Sequence, residues 1–465
     1  MSIKLKFCGG ARTVTGSMHL VKTPSSQVLI DGGLFQGRRD DFYKINSTFS
    51  FSLGEVTALA LSHAHIDHSG NIPNLVKHGL SCPIHATSAT VDLCSLMLPD
   101  SGHIQEEDIK FVNKINKRKG QPQREPLYTS NDAIACLGNF KSNYYRQPFK
   151  ITPDITATFF EAGHVLGAGL ILLEIQNGAG IVRLLYAVDL GRKNLPLLRD
   201  PDIIQNIDYL IIESTYGNRP HDLVESAKQK LVDVVTRTIN RGGKLIIPSF
   251  AFERTQEVVY FLSELIRQGK LPMIPIFVDS PLATNITMLF QKHIGYMDAE
   301  TQKLMAKHLD PFGLNHIRYI RDSAESKELN FDKRPMVIIS ASGMCEAGRI
   351  LHHLKNNIEN PANTILVVGY MAQNTLGKKI VDRQPIVKIF GEEYKLNAEV
   401  VKINSFSAHA DKDELFWYIQ QLGKSVKRIF VVHGDEEQSE PFTQRLIDAG
   451  YKAYLPQKNE EVVLG

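Results

Sequence analysis

The chain reads as an α/β protein of more than one domain, on three observations. Short apolar runs recur through the first 215 or so residues and again near the C-terminus, and several end directly in an acidic or imidazole side chain. Between them, strand-like runs alternate with helical stretches, the pattern of βαβ units on a parallel sheet. The length, 465 residues, also exceeds what a single hydrophobic core usually serves.

The elements follow in order. Ile3 to Cys8 alternates apolar with charged or polar residues and predicts an opening strand over 3–8, with further strands at 17–22 and 27–31. Asp31-Gly32-Gly33 closes the third as a turn. The run from Val56 to Leu61 predicts a buried strand, and helical patterns follow at about 68–79 and 86–98. The segment from about 103 to 132 is polar and helical in part; its Lys117-Arg118-Lys119 run reads as a solvated face. Strands return at 155–161, 169–174 and 181–188, the last ending at Asp189, and at 208–213, ending at Glu213. A helix over 222–240 then leads to Lys244–Pro248, and one over 252–268 leads to Ile274–Asp279. Further helices precede Met336–Ser340 and Thr364–Val368. Strand-like runs at 399–404 and 428–433 flank a helix at 411–422 and return the chain to its first domain. The expected organisation is therefore 1–215 together with 386–465, interrupted by an inserted domain over 216–385.

Composition excludes several classes. Apolar content of 43% and charged content of 22% describe an ordinary globular chain. A formal charge of +3, from 53 basic and 50 acidic residues, predicts no polyanion partner by bulk charge, so any nucleic-acid surface is local. Five scattered cysteines without a Cys-x-x-Cys pair argue against a disulfide framework or a cysteine-ligated zinc site. No apolar run approaches 18 residues, and the N-terminus reads as a strand, not a signal peptide; a cytoplasmic location is expected.

The chemistry is concentrated in Ser62-His63-Ala64-His65-Ile66-Asp67-His68. Four potential metal ligands fall within six residues, directly after a buried strand. His63 and His65 can face one metal, Asp67 and His68 a second. Two imidazoles suit zinc or a similar transition metal, and a carboxylate tolerates a two-metal arrangement. Asp31, His164, Asp189, Glu213, His409 and His433 also follow apolar runs. Singly each has a structural explanation; jointly they mark a site built from loops at one end of several strands.

These residues carry a resemblance. His-Ala-His-Ile-Asp-His, with Gly163-His164 and Val188-Asp189-Leu190, resembles the metallo-β-lactamase superfamily, whose fold is an αββα sandwich with two metals at one edge. Ile212-Glu213-Ser214-Thr215-Tyr216-Gly217, Phe406-Ser407-Ala408-His409-Ala410-Asp411 and Val432-His433-Gly434-Asp435 narrow it to the β-CASP subgroup of nucleases, as do Asp279-Ser280-Pro281-Leu282-Ala283 and Ser340-Ala341-Ser342-Gly343-Met344 in the insert. The resemblance implies that His63, His65 and His164 bind one zinc ion and that Asp67, His68 and His433 bind another, with Asp189 bridging. It implies that Asp31 orients a ligand or the bridging water, and that Glu213 polarises His409 as the general acid that protonates the leaving oxygen. The implied activity is hydrolysis of single-stranded RNA to 3′-hydroxyl and 5′-phosphate ends, by internal cuts or from an end.

In the insert, a parallel sheet of Rossmann-like type, turns after strand-like runs would face the substrate. Ser249, Ser280, Ser340, Ser342, Gly343 and Tyr370 are the candidate contacts, with Arg254 placed either to reach a phosphate or to form a surface salt bridge. A homodimer is the expected oligomer. The alternatives are a DNA nuclease, a small-molecule hydrolase of thioesterase or lactonase type, and a non-catalytic scaffold. The large insert argues against the small-molecule hydrolase, and the filled ligand positions argue against the scaffold.

Overall fold

Strand Ile3–Gly9 buries every second side chain, Ile3, Leu5 and Phe7 among them, because successive side chains of a strand point to opposite faces. Strand Tyr209–Ile212 is buried throughout, as a strand covered on both faces must be. The computed structural model describes all residues except 1, 38, 179, 222, 223, 314, 315, 370, 373, 404–406 and 424, and the side chains of 39 and 40. The chain divides into two compact units.

The first unit comprises Met1–Asn194, Leu198–Pro220 and Ala408–Gly465. Among the described residues it holds two seven-stranded sheets. One runs in the order Glu461–Leu464, Ile3–Gly9, Met18–Lys22, Gln27–Ile30, Ala58–Ala60, Ile84–Thr87, Phe140–Asn143. The other runs Ala453–Tyr454, Arg428–Val431, Tyr209–Ile212, Gly180–Ala187, Gly169–Asn177, Ile155–Glu161, Phe149–Thr152. One apolar core draws on both sheets, with Leu5, Phe7, Val28 and Ala60 from the first and Phe159, Ile171, Tyr186 and Phe430 from the second. Helix Ser88–Arg118 packs on the first sheet and helix Glu436–Asp448 on the second. The result is the four-layered αββα arrangement.

The second unit comprises Leu195–Leu197 and His221–Ser407. Its six-stranded sheet has the order Ile317–Ile320, Ile276–Asp279, Met336–Ser340, Lys244–Pro248, Thr364–Val367, Glu399–Lys402. Every pairing in it is parallel. Its central strands are buried from end to end, which is why they read as unbroken apolar runs.

Three features differ from the expectations drawn from sequence. The insert does not end at 385: strand Glu399–Lys402 pairs with Thr364–Val367, so the chain stays in the second unit through Ser407. The helix expected to stop near 98 runs through Pro99 to Arg118, because its buried face continues as Met97, Leu98, Gly102, Gln105, Ile109 and Val112. Strands Ile84–Thr87, Phe140–Asn143, Phe149–Thr152, Ile317–Ile320, Ala453–Tyr454 and Glu461–Leu464 and the hairpin Ile386–Ile389 with Glu392–Lys395 add to those expected from sequence. They are short, and several carry polar residues on an exposed face.

Asp279 closes one of the buried parallel strands and is itself inaccessible to solvent. Its carboxylate accepts hydrogen bonds from Ser326 Oγ (2.5 Å), Arg349 Nη1 (2.7 Å) and His353 Nε2 (2.6 Å). Burial alone would push its pKa up; these donors outweigh burial and hold it below the ordinary aspartate value. The stability this contributes is present above the unfolded pKa of about 3.9 and is lost as pH falls through the lower folded value. Asp279→Ala leaves Arg349 without its buried partner and should cost about 3–5 kcal/mol, read by urea unfolding of the whole chain at neutral pH. The deficit should shrink on acidification toward pH 3.

Candidate active site

Six strands of the first unit end in a candidate residue. Asp31 follows Gln27–Ile30, the His63–His68 segment follows Ala58–Ala60, and His164 follows Ile155–Glu161. Asp189 follows Gly180–Ala187, Glu213 follows Tyr209–Ile212, and His433 follows Arg428–Val431. Both sheets therefore deliver side chains to one edge of the sandwich. The backbone bends sharply to do so: Asp31, Asp189 and His433 have φ of 60°, 58° and 49°, a left-handed conformation that costs a non-glycine residue energy and clusters at functional sites. Close approach does the rest. A Cβ on Gly33 would lie 1.7 Å from the Asp67 carbonyl oxygen, and one on Gly191 1.9 Å from that of Gly163.

Two clusters result. His63, His65, His164 and Asp189 bring one ligand atom each within 4.8 Å of one another, and so do Asp67, His68 and His433. His65 Nδ1 lies 3.1 Å from His63 Nε2 and 3.3 Å from His164 Nε2. In the second cluster His68 Nε2 faces His433 Nε2 at 2.9 Å, and His433 Nε2 is 3.7 Å from Asp67 Oδ2. Asp189 faces both. Its Oδ2 is 3.3 Å from His63 Nε2 and from His164 Nε2, while its Oδ1 is 3.4 Å from His68 Nε2 and 3.3 Å from His433 Nδ1.

The donor set fits metal ions. Ring nitrogens facing one another across about 3 Å, deep in the protein, cannot all be satisfied by each other, since a neutral imidazole has a single N–H. Asp189 Oδ1 is buried without a hydrogen bond. A cation between such lone pairs removes the conflict, and the nitrogen and carboxylate ligands suit zinc. Electrostatics agree. Burial, with neighbouring imidazoles, drives His63 and His65 below the usual histidine pKa and His164 down to about 4, keeping them neutral and able to ligate. Asp67 and Asp189 are held well below the carboxylate range against the cost of burial, Asp67 first by His433 and Asp189 by His433 and His68.

Asp31 sits behind the clusters. Ser62 N donates to its Oδ1 at 2.7 Å. Its Oδ2 accepts from Ser62 Oγ (2.9 Å), Tyr186 Oη (2.7 Å) and His68 Nδ1 (2.7 Å). The bond to Nδ1 turns His68 Nε2 toward the site. Ser17 Oγ extends the chain to Tyr186 Oη at 2.9 Å. Neither Tyr186 nor Ser17 was picked out from sequence, where a tyrosine in an aliphatic strand and a loop serine carry no signal.

Glu213 and His409 also meet. His409 Nδ1 lies 3.1 Å from Glu213 Oε2, and Glu213 Oε1 accepts from Leu190 N at 2.5 Å. Burial works against the imidazolium, but the charges of Glu213 and Asp189 outweigh it and raise the His409 pKa to about 9. While most of the site is sealed, the side chains of His409 and Asp67 are 20% and 23% exposed and His65 is half-buried. These are the groups an incoming substrate can touch.

The insert candidates divide. Ser249 is buried, its hydroxyl occupied by Thr255 Oγ1 and the Phe250 carbonyl. Ser340 is buried and donates to the Asp279 carbonyl at 2.9 Å, and Ser280 caps helix Pro281–Lys292 through Ala283 N. Arg254 is paired at 2.5 Å with Glu257 and is 12% exposed, the salt-bridge alternative for this residue. Ser342 is only half-buried and accepts from Glu346 N and Ala347 N, and Gly343 lies under the Phe250 ring. Phe250 itself is 40% exposed. Tyr370 lies outside the described residues.

A two-sheet sandwich carrying paired imidazole clusters around one aspartate at its edge defines a metal-binding hydrolase. The comparisons with known proteins match this chain to the Metallo-beta-lactamase superfamily over 11–90, the Beta-Casp domain over 255–380 and the Zn-dependent metallo-hydrolase RNA specificity domain over 393–456. It is 34% identical to Ribonuclease TTHA0252 of Thermus thermophilus, covering 92% of each chain. It is 32% identical to the RNase J-like protein of Methanocaldococcus jannaschii, covering 96% of this chain and 95% of that one. With transcription termination factor FttA of the same organism the identity is 33%, over 93% of this chain and 67% of the factor. The chain belongs to the β-CASP family of metallo-β-lactamase-fold nucleases. A crystal structure of a protein of unknown function from Enterococcus faecalis shares the fold at 16% identity, with a TM-score of 0.56 over the full length of both chains.

Proposed function

We propose that the protein is a ribonuclease that hydrolyses single-stranded RNA with two zinc ions, leaving 3′-hydroxyl and 5′-phosphate ends. The observation that carries this reading is Asp189, one carboxylate whose two oxygens face two separate imidazole clusters. His63, His65 and His164 would hold one ion, and Asp67, His68 and His433 the other. Bound there, the ions would supply Lewis acidity toward the phosphate and a water of lowered pKa. The chain's own residues do the rest. Asp31 fixes the tautomer and direction of His68. Glu213 holds His409 protonated, so that it can donate to the departing sugar oxygen, a poor leaving group without a proton. Ser342 and the loop after it would steady the RNA backbone, with the exposed Phe250 ring as a stacking surface. The relatives named for ribonuclease activity support RNA as the substrate class.

The test uses purified, zinc-loaded protein and end-labelled single-stranded RNA and DNA. RNA should be cut and cutting should stop on chelation; strong cleavage of DNA beside inert RNA overturns the assignment. The same time course separates modes: mononucleotides from the first point mean action from an end, a ladder of intermediates means internal cuts. Asp31→Asn should weaken metal binding about 10–100-fold, measured by competition with a colorimetric chelator. Unchanged affinity would show that Asp31 does not orient His68 toward a metal.

A further inference from the structure

Beside the candidate active site, against the loop from Gly9 to Ser17, the first unit has a concavity of about 390 Å³, within the roughly 300–1,000 Å³ of small-ligand sites. Its chemistry is one-sided. Its described lining residues include two lysines, Lys44 and Lys458, and no carboxylate. Neither lysine has an ion-pair partner among the described residues. Three half-buried rings, Phe35, Phe49 and Phe51, share the same walls. Cations without carboxylates select an anion, and aromatic walls select a flat, stackable group. Inorganic phosphate uses only the first; a nucleotide uses both.

The position is as specific as the lining. The loop from Gly9 to Ser17 forms one wall of the cavity, and its backbone also touches the candidate ligands. His433 N donates to Gly10 O at 2.7 Å, Ser17 N donates to Asp67 O at 2.9 Å, and Gly33 N donates to Ser17 O at 2.9 Å. The loop is glycine-rich for a steric reason: Gly16 has φ of 77°, and a Cβ there would lie 3.1 Å from Phe35 Cα. The same loop therefore borders both the cavity and the residues Asp67 and His433.

We propose that this cavity is a subsite for one unstacked nucleotide of the substrate strand, flanking the position of cleavage, with its phosphate against Lys44 and Lys458 and its base among Phe35, Phe49 and Phe51. This rests on the proposal that RNA is the substrate. It gives the first unit its own grip on the strand, one that a small phosphodiester does not reach.

The test is binding of a short 2′-O-methyl RNA, uridine 5′-monophosphate and inorganic phosphate to metal-free protein, followed by fluorescence anisotropy competition, with turnover of bis(p-nitrophenyl) phosphate by the zinc-loaded form as control. Lys44→Ala/Lys458→Ala, at exposed rim positions, should weaken RNA binding about tenfold and lower the salt slope by about 0.7, the share of one neutralised phosphate on a single strand. Phe49→Leu should weaken it at least about fivefold. Turnover of the small diester should not change in either variant. Wild-type RNA affinity and salt slope in both variants overturn the subsite while leaving the ribonuclease reading intact. Uridine 5′-monophosphate bound through these lysines by a protein that ignores RNA overturns the strand role in favour of a free-nucleotide site, and inorganic phosphate competing as well as the nucleotide overturns the base contact. RNA cleaved normally by a protein whose lysine variant also has an unchanged KM for RNA tells against the subsite alone; no RNA binding or cleavage in wild type sinks the function reading with it.

Discussion

Asp189→Asn is expected to eliminate turnover and to strip zinc from both clusters at once. The substitution preserves size and shape, so what it removes is charge. In the native site one carboxylate lies 3.3–3.4 Å from ring nitrogens of four histidines, His63, His164, His68 and His433. An amide in that place turns one oxygen into a nitrogen donor aimed at one cluster and removes the anion that both share. Losing a partner that merely orients a ligand costs about 10–100-fold in metal affinity or activity. Asp189 faces both clusters directly, so its loss must exceed that range, and turnover should fall below about a thousandth. Metal content by mass spectrometry is the second readout. Near-normal zinc with near-normal RNA cleavage would show that Asp189 is not shared between two ions.

His409→Ala separates the proton donor from the metals. Zinc content should stay at the wild-type level, because His409 bonds to Glu213 and is not part of either cluster. Turnover of RNA should drop about 10²–10⁴-fold, the usual worth of general acid catalysis. The same variant should turn over bis(p-nitrophenyl) phosphate almost normally, since nitrophenolate leaves without a proton. A merely structural histidine would lower both substrates alike, and normal RNA cleavage would remove His409 from the chemistry. The pH profile gives a third readout. Glu213 and Asp189 lift the His409 pKa to about 9 against the cost of burial, so the acid form is present at neutral pH and is lost as pH rises through that value. RNA cleavage should therefore fall on the alkaline side. Cations bound beside Asp189 would cancel part of its support and move that limb below 9. Glu213→Gln, which removes the other carboxylate, should move it lower still.

The residues that meet at the site were legible before any fold was known, because their chemistry is expensive in any other setting. Four ligand-type side chains within six residues, with isolated histidines and acids each at the end of an apolar run, have few explanations that do not bring them together. What stayed hidden had no such cost attached. Tyr186 reads as one more apolar strand residue, yet its hydroxyl holds Asp31. Arg254 and Ser340 give no sign in sequence of the partners they take: one is tied to Glu257 and the other to a buried carbonyl. The end of the insert was misplaced because strand Glu399–Lys402 says nothing in its own residues about which sheet it joins. That is decided by Thr364–Val367, more than thirty positions away. The run through Pro99 was lost for a similar reason: a local breaker was outweighed by a buried face that only the packed helix reveals.

The pairing of Glu461–Leu464 with Ile3–Gly9 has a temporal consequence. The first strand leaves the ribosome long before its partner, so the edge of the first sheet stays open until that partner emerges. His409 and His433 arrive almost as late. The nascent polypeptide can assemble His63, His65 and His164 early but has no second cluster and no proton donor until residues 409–433 emerge. The two clusters around Asp189 can therefore meet only after His433 has left the ribosome.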